Sequence, residues 1–279
     1  MKNKITFKIK PQSLTGVKAI FCDIDGTLLD SKSVLQAETI AAVKNIKDKI
    51  PFYLISGRNV DGMRPIYDAF GLDTAMISSN GAMISTKANE VLYAAPIDKT
   101  TVQDFLPFVE MNALTVSLNT YTTWHWYCDH LDSAYHLDEA AIVHCQAEPY
   151  RGFAFLKDED VMKIVLRGPK PEIEIIYSLI VPRFPRLNII HYTDNAIEIT
   201  RQNIDKGVAI KNVMQRFNIR PENAMSIGDS IVDMAMLAET GFAVVVRNAN
   251  DELKVHAHVI TLSNEDLGVA TLLDFMVKL

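Results

Sequence analysis

The sequence predicts an α/β protein: a parallel sheet whose strands alternate with helices, interrupted by an inserted α+β segment. Three observations carry this. Short apolar runs alternate with helix-patterned stretches at both ends of the chain. The middle instead holds shorter, alternating segments and most of the aromatic residues. Finally, several apolar runs stop abruptly on acidic or hydroxyl residues, as in "VKAIFCDIDGTLLD" (17–30).

In order, "VKAIFC" reads as a strand and 36–50, with apolar residues at helical spacing, as a helix. "PFYLIS" (51–56) is a second strand, followed by a helix near 59–70, and "TAMISS" (74–79) a third. The C-terminal part repeats the style. A helix opens near 205–217, "AMSIGD" (224–229) is a strand, and a helix runs through "IVDMAMLAET". "FAVVV" (242–246) and "HVIT" are strands around the short helix "NDELKVHA", and "LGVATLLDFMVKL" closes the chain as a helix. Between these halves, "LTVSLNT", "TWHWYCD", "VMKIVLRG" and "RLNIIHYT" read as strands of a mostly antiparallel sheet, with helices near 98–112 and 170–181. The junctions are placed at "NGAMIS" and "DNAIEIT". A core at 1–84 and 193–279, with an insertion at 85–192, is the expected division.

A chain of 279 residues with 48% hydrophobic content can bury a sizeable core. Its net charge of −6, without a long Lys/Arg cluster, argues against nucleic acid or an anionic membrane as partner. "MKNKITFKIKPQSLTG" lacks the apolar stretch of a signal peptide. No apolar run approaches the length of a membrane span. Cys22, Cys128 and Cys145 are odd in number and show no CxxC spacing, which fits a reduced, cytoplasmic protein. A monomer or weak homodimer is expected.

In a parallel sheet, ligands collect outside the carboxyl ends of the strands. The residues that end the apolar runs are therefore the candidates: Asp23 with Asp25, Ser56 with Arg58, Ser79 with Asn80, and Asp229 with Asp233. Each alone is an ordinary turn residue. Together, with Lys206 opening a helix, they suit a phosphate and a hard metal. Mg²⁺ prefers carboxylates, water and a substrate phosphate. A carboxylate can also act as nucleophile, forming an aspartyl-phosphate. Asp25 is near enough to move the proton, Gly26 permits a tight turn, and Thr27 offers donors. Ser56 and Lys206 can neutralise phosphoryl oxygens.

"DIDGT", "LISGR", "DKG" and "GDSIVD", in that order, resemble the motifs of the haloacid dehalogenase-like (HAD) phosphohydrolase superfamily. The placement of the insertion after "SSNGA" and the tail "NANDELKVHAHVITLSNEDLGVA" resemble its Cof-type phosphatases. The resemblance spans nearly the whole chain from about residue 17. It implies a Rossmann-like core with an inserted α+β cap of the C2 type, closing over a small phosphomonoester. Asp23 is then the nucleophile and a Mg²⁺ ligand, and Asp25 the general acid/base that binds the metal through its main-chain carbonyl. Ser56 and Lys206, with Gly57 and Gly26, hold the phosphoryl group. Asp229 ligates the metal, Asp233 supports it or a coordinated water, and Arg58 and Asn80 line the pocket.

Three positions depart from the pattern: Val232 stands where Asn is usual, Arg247 where Gly is usual, and Leu267 is an extra residue before Gly268. They bear on fine tuning and leave every metal ligand in place. His125, Cys128, His130, His136, His144 and Cys145 could suggest zinc, but their spacing matches no standard ligand pattern. The aromatic segment they belong to either packs the insertion's core or faces a substrate. Cys22 should lie in the core, and "HAH" at 256–258 at a helix end. The expected activity is Mg²⁺-dependent hydrolysis of a small phosphorylated metabolite, such as a sugar phosphate. The alternatives are a phosphomutase or phosphotransferase on the same scaffold, and a metabolite-binding protein without catalysis.

Overall fold

The computed structural model describes residues 4–113, 115–143 and 145–279, apart from the side chains of residues 142 and 192. Contacts group Met1–Arg58, Met63–Tyr93 and Asp205–Leu279 into one compact unit, and Asn59–Gly62 with Ala94–Ile204 into a second.

The chain begins with β1 (Thr6–Phe7), β2 (Ala19–Asp23), α1 (Ala37–Ile46), β3 (Phe52–Ile55), α2 (Val60–Phe70) and β4 (Met76–Ser78). β5 (Met83–Ser85) and β6 (Val91–Ala94) follow. The second unit holds α3 (Lys99–Asn112), β7 (Ser117–Thr122), β8 (Trp126–Cys128), α4 (Ala134–Val143), β9 (Glu148–Pro149), α5 (Phe153–Leu156) and β10 (Val161–Arg167). It continues through α6 (Lys170–Arg183), β11 (Leu187–Thr193) and β12 (Ala196–Arg201). The chain then returns to the first unit as α7 (Lys206–Arg216), β13 (Ala224–Gly228), α8 (Met234–Ala238), β14 (Phe242–Val245), α9 (Asp251–His256), β15 (Val259–Ile260) and α10 (Gly268–Val277).

The first unit is an α/β fold on a mixed nine-stranded sheet ordered β1-β15-β14-β13-β2-β3-β4-β5-β6. Strands β15, β14, β13, β2, β3 and β4 are parallel, while β1 and β5 pair antiparallel at either side. Every residue of β2, β3 and β13 is buried, as expected of strands covered on both faces. The chain leaves β2 towards β3 and returns on the other side of β2 as β13. That divergence opens a crevice at the carboxyl ends of β2 and β13, where such sheets hold ligands.

The second unit is a six-stranded sheet ordered β11-β12-β10-β7-β8-β9, antiparallel except where β8 meets β9. Phe105, Leu106 and Val109 of α3 and Ile173, Ile176 and Ile180 of α6 bury one face together with Leu118, Ile164, Leu166, Ile197 and Ile199. On the other face Trp126 stacks on Tyr121, with ring centroids 5.4 Å apart, beneath Ala140 and Val143 of α4. Of the two readings of the aromatic segment, packing therefore accounts for Trp126 and Tyr127, both buried.

"DNAIEIT", read as a junction, is mostly β12, paired along β10 from Lys163 to Arg167. "NGAMIS" likewise contains β5, which pairs with β4. The divisions placed at 84/85 and 192/193 thus fall within β5 and β11. The apolar alternation in these segments belongs to hairpins, which the flanking Asn and Gly turn residues concealed.

The extra Leu267 has a visible cost. It precedes α10 in the left-handed region, with φ 61° and ψ 41°. A Cβ on the next residue, Gly268, would sit 2.1 Å from the Leu262 carbonyl oxygen, so the turn cannot slide by one position. A left-handed conformation costs an L-residue about 1–2 kcal/mol, part of which glycine gives back as unfolded-state entropy. Leu267→Gly is expected to stabilise the protein by about 0.5–1 kcal/mol, read from the urea midpoint; an unchanged or lower midpoint would refute the assignment of strain.

Candidate active site

Three of the four aspartates singled out in the sequence, Asp23, Asp229 and Asp233, converge at this crevice with Lys206. Asp23 ends β2 with only 4% of its surface exposed. Its Oδ1 accepts from Lys206 Nζ at 2.5 Å. Lys206 is the first residue of α7, started by Asp205, whose carboxylate caps the Val208 N–H at 2.8 Å. The same Nζ donates to Asp233 Oδ1 at 2.7 Å. Asp233 closes a 3₁₀ turn after β13, and its other oxygen accepts from the Asp229 and Ser230 N–H groups, both at 3.0 Å, and from Ser230 Oγ at 3.2 Å. Both oxygens of Asp233 are thus engaged by protein donors. Its place is to fix Lys206 and the 229–230 backbone.

Asp229 follows β13 directly. Thr27 Oγ1 donates to its Oδ1 at 2.9 Å, so the loops after β2 and β13 are tied together. That contact requires Gly26, at φ +79°: a Cβ there would lie 2.5 Å from Asp229 Oδ2. Asp25 points to the other side. Arg58 grips it with two hydrogen bonds, Nε to Oδ2 at 2.8 Å and a terminal nitrogen to Oδ1 at 2.6 Å. The Arg58 side chain is 3% exposed and that of Asp25 35%. The two aspartates, though only two residues apart, therefore face different partners.

Ser56 follows β3, and its hydroxyl accepts from the Arg58 N–H at 3.1 Å. The Asn80 N–H donates to the Ser56 carbonyl at 2.9 Å, and its side-chain amide packs against Gly57. Ser79 and Asn80 both adopt positive φ, 51° and 53°, turning the chain beneath Ser56. Arg58, expected to line the pocket, holds Asp25. Val232 is half-buried, and the neighbouring Ser230 donates to Asp233 through its N–H and its hydroxyl. Arg247 directs a terminal nitrogen to the Lys4 carbonyl at 2.6 Å.

The sequence reading missed the groups that hold the β2 loop from behind. Asn248 Nδ2 donates to the Gly26 carbonyl at 2.8 Å, and its Oδ1 accepts from the Asn264 N–H at 3.0 Å. Asn264 Nδ2 reaches the Leu29 carbonyl at 2.9 Å. Listing the polar residues after β14 and β15, as was done for the other strands, would have found them.

One ammonium among three carboxylates leaves a formal charge of −2. Burial is the main reason the Asp23 pKa lies well above the usual carboxylate range; Lys206 opposes the rise, and Asp233 and Asp229 add to it. Burial, then Asp233, pushes Asp229 up to about 6, against the Thr27 hydrogen bond and Lys206. Burial alone would lower the Lys206 pKa, but Asp23 and Asp233 outweigh it, and the lysine stays charged. Asp23, Asp229 and Asp233 each offer an oxygen within 4.8 Å of the others. Oxygen-only donors with surplus negative charge fit a hard dication such as Mg²⁺.

An acid whose pKa is higher in the folded state binds its proton more tightly there. The Asp229 contribution therefore favours folding at low pH and is lost as pH rises from 3.8 through about 6. Relative to Asp229→Asn, the metal-free protein is expected to lose melting temperature across that window. Mg²⁺ should restore more of it above the window than below, as calorimetry at several pH values would show. A Mg²⁺ effect independent of pH would contradict this electrostatic account.

The histidines and cysteines of the second unit do not converge. His125 Nδ1 contacts Glu148 at 2.8 Å, His130 contacts Asp129 at 2.8 Å, and Cys128 Sγ lies 3.2 Å from Ser117 Oγ. His136 is buried against Trp126. His144 lies outside the described residues. Among the described residues, the aspartate cluster is the one group of potential metal ligands. Cys22 is fully buried, His256 ends α9, and His258 Nδ1 accepts from the Ala243 N–H at 3.0 Å.

Known proteins agree with this architecture. A family model of haloacid dehalogenase-like hydrolases matches residues 20–273. The phosphatase YwpJ of Bacillus subtilis is 26% identical over 279 residues, covering 91% of this chain and 98% of that protein. A 5-amino-6-(5-phospho-D-ribitylamino)uracil phosphatase of the same organism is 25% identical over 256 residues, covering 91% and 93%. A haloacid dehalogenase-like hydrolase from Bacteroides thetaiotaomicron superposes with a TM-score of 0.86 at 23% identity, covering 92% of this chain and 98% of that one. No helix among the described residues is long and apolar enough to cross a membrane. By its motifs, its sheet order and this match, the chain belongs to the haloacid dehalogenase-like hydrolase family.

Proposed function

We propose that the protein is a Mg²⁺-dependent phosphatase that hydrolyses a small phosphomonoester, of the sugar-phosphate kind, through an aspartyl-phosphate on Asp23. Membership of a hydrolase family with phosphatases among its relatives supports the reaction class. The observation that carries the mechanism is the meeting of Asp23, Asp229, Asp233 and Lys206 at the carboxyl ends of β2 and β13.

In this reading Asp23 attacks phosphorus, and the bond to the leaving-group oxygen breaks. Asp25, held by the Arg58 fork, delivers a proton to that oxygen and then takes one from the hydrolytic water. Lys206 remains charged beside Asp23 and offsets negative charge on the phosphoryl oxygens, with Ser56, Gly57 and the Gly26 loop around it. Asp23, Asp229 and the Asp25 main-chain carbonyl hold the cation, with Asp233 behind them; the cation supplies charge neutralisation at the phosphoryl group. Leaving-group preference is assigned to the Ala94–Ile204 unit, because these core residues address only the phosphoryl group shared by all substrates.

The test is release of inorganic phosphate from a panel of sugar phosphates, nucleotides and phosphorylated cofactors, with and without Mg²⁺. Metal-dependent release on some members is expected. Formation of sugar bisphosphate or transfer between sugars, in place of phosphate release, would replace this reading by a phosphomutase. No reaction with any member would favour a binding protein without catalysis.

A further inference from the structure

At the opposite ends of the same strands lies a second feature that the phosphatase chemistry does not use. A cavity of about 560 Å³ opens at the amino ends of β2, β3 and β13, lined by Lys18, Tyr53, Phe217, Asn218, Arg220 and Asn223, among others. Lys18 directly precedes β2, Tyr53 is the second residue of β3, and Asn223 directly precedes β13. Strands of four or five residues put roughly 15 Å between this cavity and the aspartate cluster, so one ligand cannot occupy both.

Phe217 caps the C-terminus of α7. The chain then turns through Asn218 at φ 55°, and the Ile219 N–H returns to the Met214 carbonyl at 2.8 Å. This turn leaves the Phe217 ring 46% exposed beside the cavity. The Tyr53 ring stacks on Phe21 at 4.9 Å and approaches Phe217 at 6.1 Å. Tyr53 is 4% exposed, and its hydroxyl makes no hydrogen bond to a described residue; the oxygen is not enclosed, so solvent or a ligand in the cavity can reach it. Burial pushes the phenol up to about 12, so it keeps its proton and can donate to an acceptor in the cavity.

The charged groups nearby favour an acidic acceptor. The Lys18 ammonium has no ion-pair partner among the described residues, and Arg220 pairs with Glu222 at 3.4 Å through Nε. That pair is exposed, with side chains 75% and 63% accessible, and therefore weak, so a ligand can compete for the guanidinium. Against two side-chain cations stand Glu222 and the C-terminal end of α7, which carries about half a negative charge. The balance is positive.

We propose that this cavity binds a small planar ring carrying an acidic group. The ring lies against Phe217, and the acid accepts from the Tyr53 hydroxyl between Lys18 and Arg220. 2-Naphthoate is a suitable probe, with 2-naphthalenemethanol as its neutral counterpart, titrated by amide chemical shifts of the whole protein. Saturable shifts at Asn218, Ile219 and Arg220 are expected with naphthoate, in wild type and in Asp23→Asn alike. Lys18→Gln with Arg220→Gln should weaken binding about tenfold, and Tyr53→Phe should weaken it by a smaller factor. Phosphatase activity should be unchanged in the Lys18/Arg220 variant. Absence of saturable shifts at millimolar naphthoate would overturn the proposal, as would equal binding of the neutral alcohol or an undiminished affinity in the double variant.

Discussion

Asp23→Asn is expected to lower kcat by about 10³-fold or more while leaving a folded protein. The amide has nearly the shape of the carboxylate but cannot attack phosphorus. The fold survives because the substitution removes one of three crowded negative charges and leaves Lys206 its 2.7 Å contact with Asp233. Without metal, the melting temperature should therefore hold or rise, and the Mg²⁺-induced rise should shrink if Asp23 is a metal ligand as proposed. Phosphate release on the best substrate and calorimetry measure the two effects. A variant with wild-type turnover would remove Asp23 from the role of nucleophile.

Lys206→Met carries the opposite signature. The lysine is nearly inaccessible and stands between Asp23 and Asp233, whose side chains are 6% and 0% exposed. Removing the ammonium leaves two buried carboxylates without a counter-charge, a situation that typically costs about 3–5 kcal/mol. The variant should therefore be markedly less stable than wild type in the absence of metal and regain much of the difference when Mg²⁺ is added. Its kcat should fall by about 10²–10³-fold, because a full charge beside the phosphoryl group has gone. Wild-type stability without metal would mean that the three carboxylates do not share charge as described.

The residues of the centre were legible because they obey a simple geometrical rule. Asp23, Ser56 and Asp229 stand at the ends of apolar runs, and in a parallel sheet those ends lie side by side. Lys206 was legible as a misfit, a cation at the positive end of a helix dipole. What the residues do to one another was not. Nothing in "DIDGT" or "SGR" says that Arg58 forks onto Asp25, since that depends on how loops from β2 and β3 approach. Nor does "GDSIVD" announce that Ser230 and Lys206 occupy both oxygens of Asp233. In the fold, the two-residue strand β1 and the short neighbours β5 and β6 have too few residues for a period to declare itself, whereas β15 lies within the apolar run "HVIT". β12 was hidden by its polar entry "DN", and α4, "AYHLDEAAIV", has no clean apolar stripe because it covers a sheet face that is itself partly polar.

The ion pair between Lys206 and Asp23 spans 183 positions of chain, and the bond from Thr27 to Asp229 spans 202. The whole of the second unit is synthesised between the partners. A fragment that stops before residue 205 carries Asp23 with no ammonium to neutralise it and leaves one side of β2 bare. The centre is therefore also the chain's closing stitch. It cannot exist in a half-made or truncated molecule, and reactive chemistry is withheld until the last strands of the core have arrived.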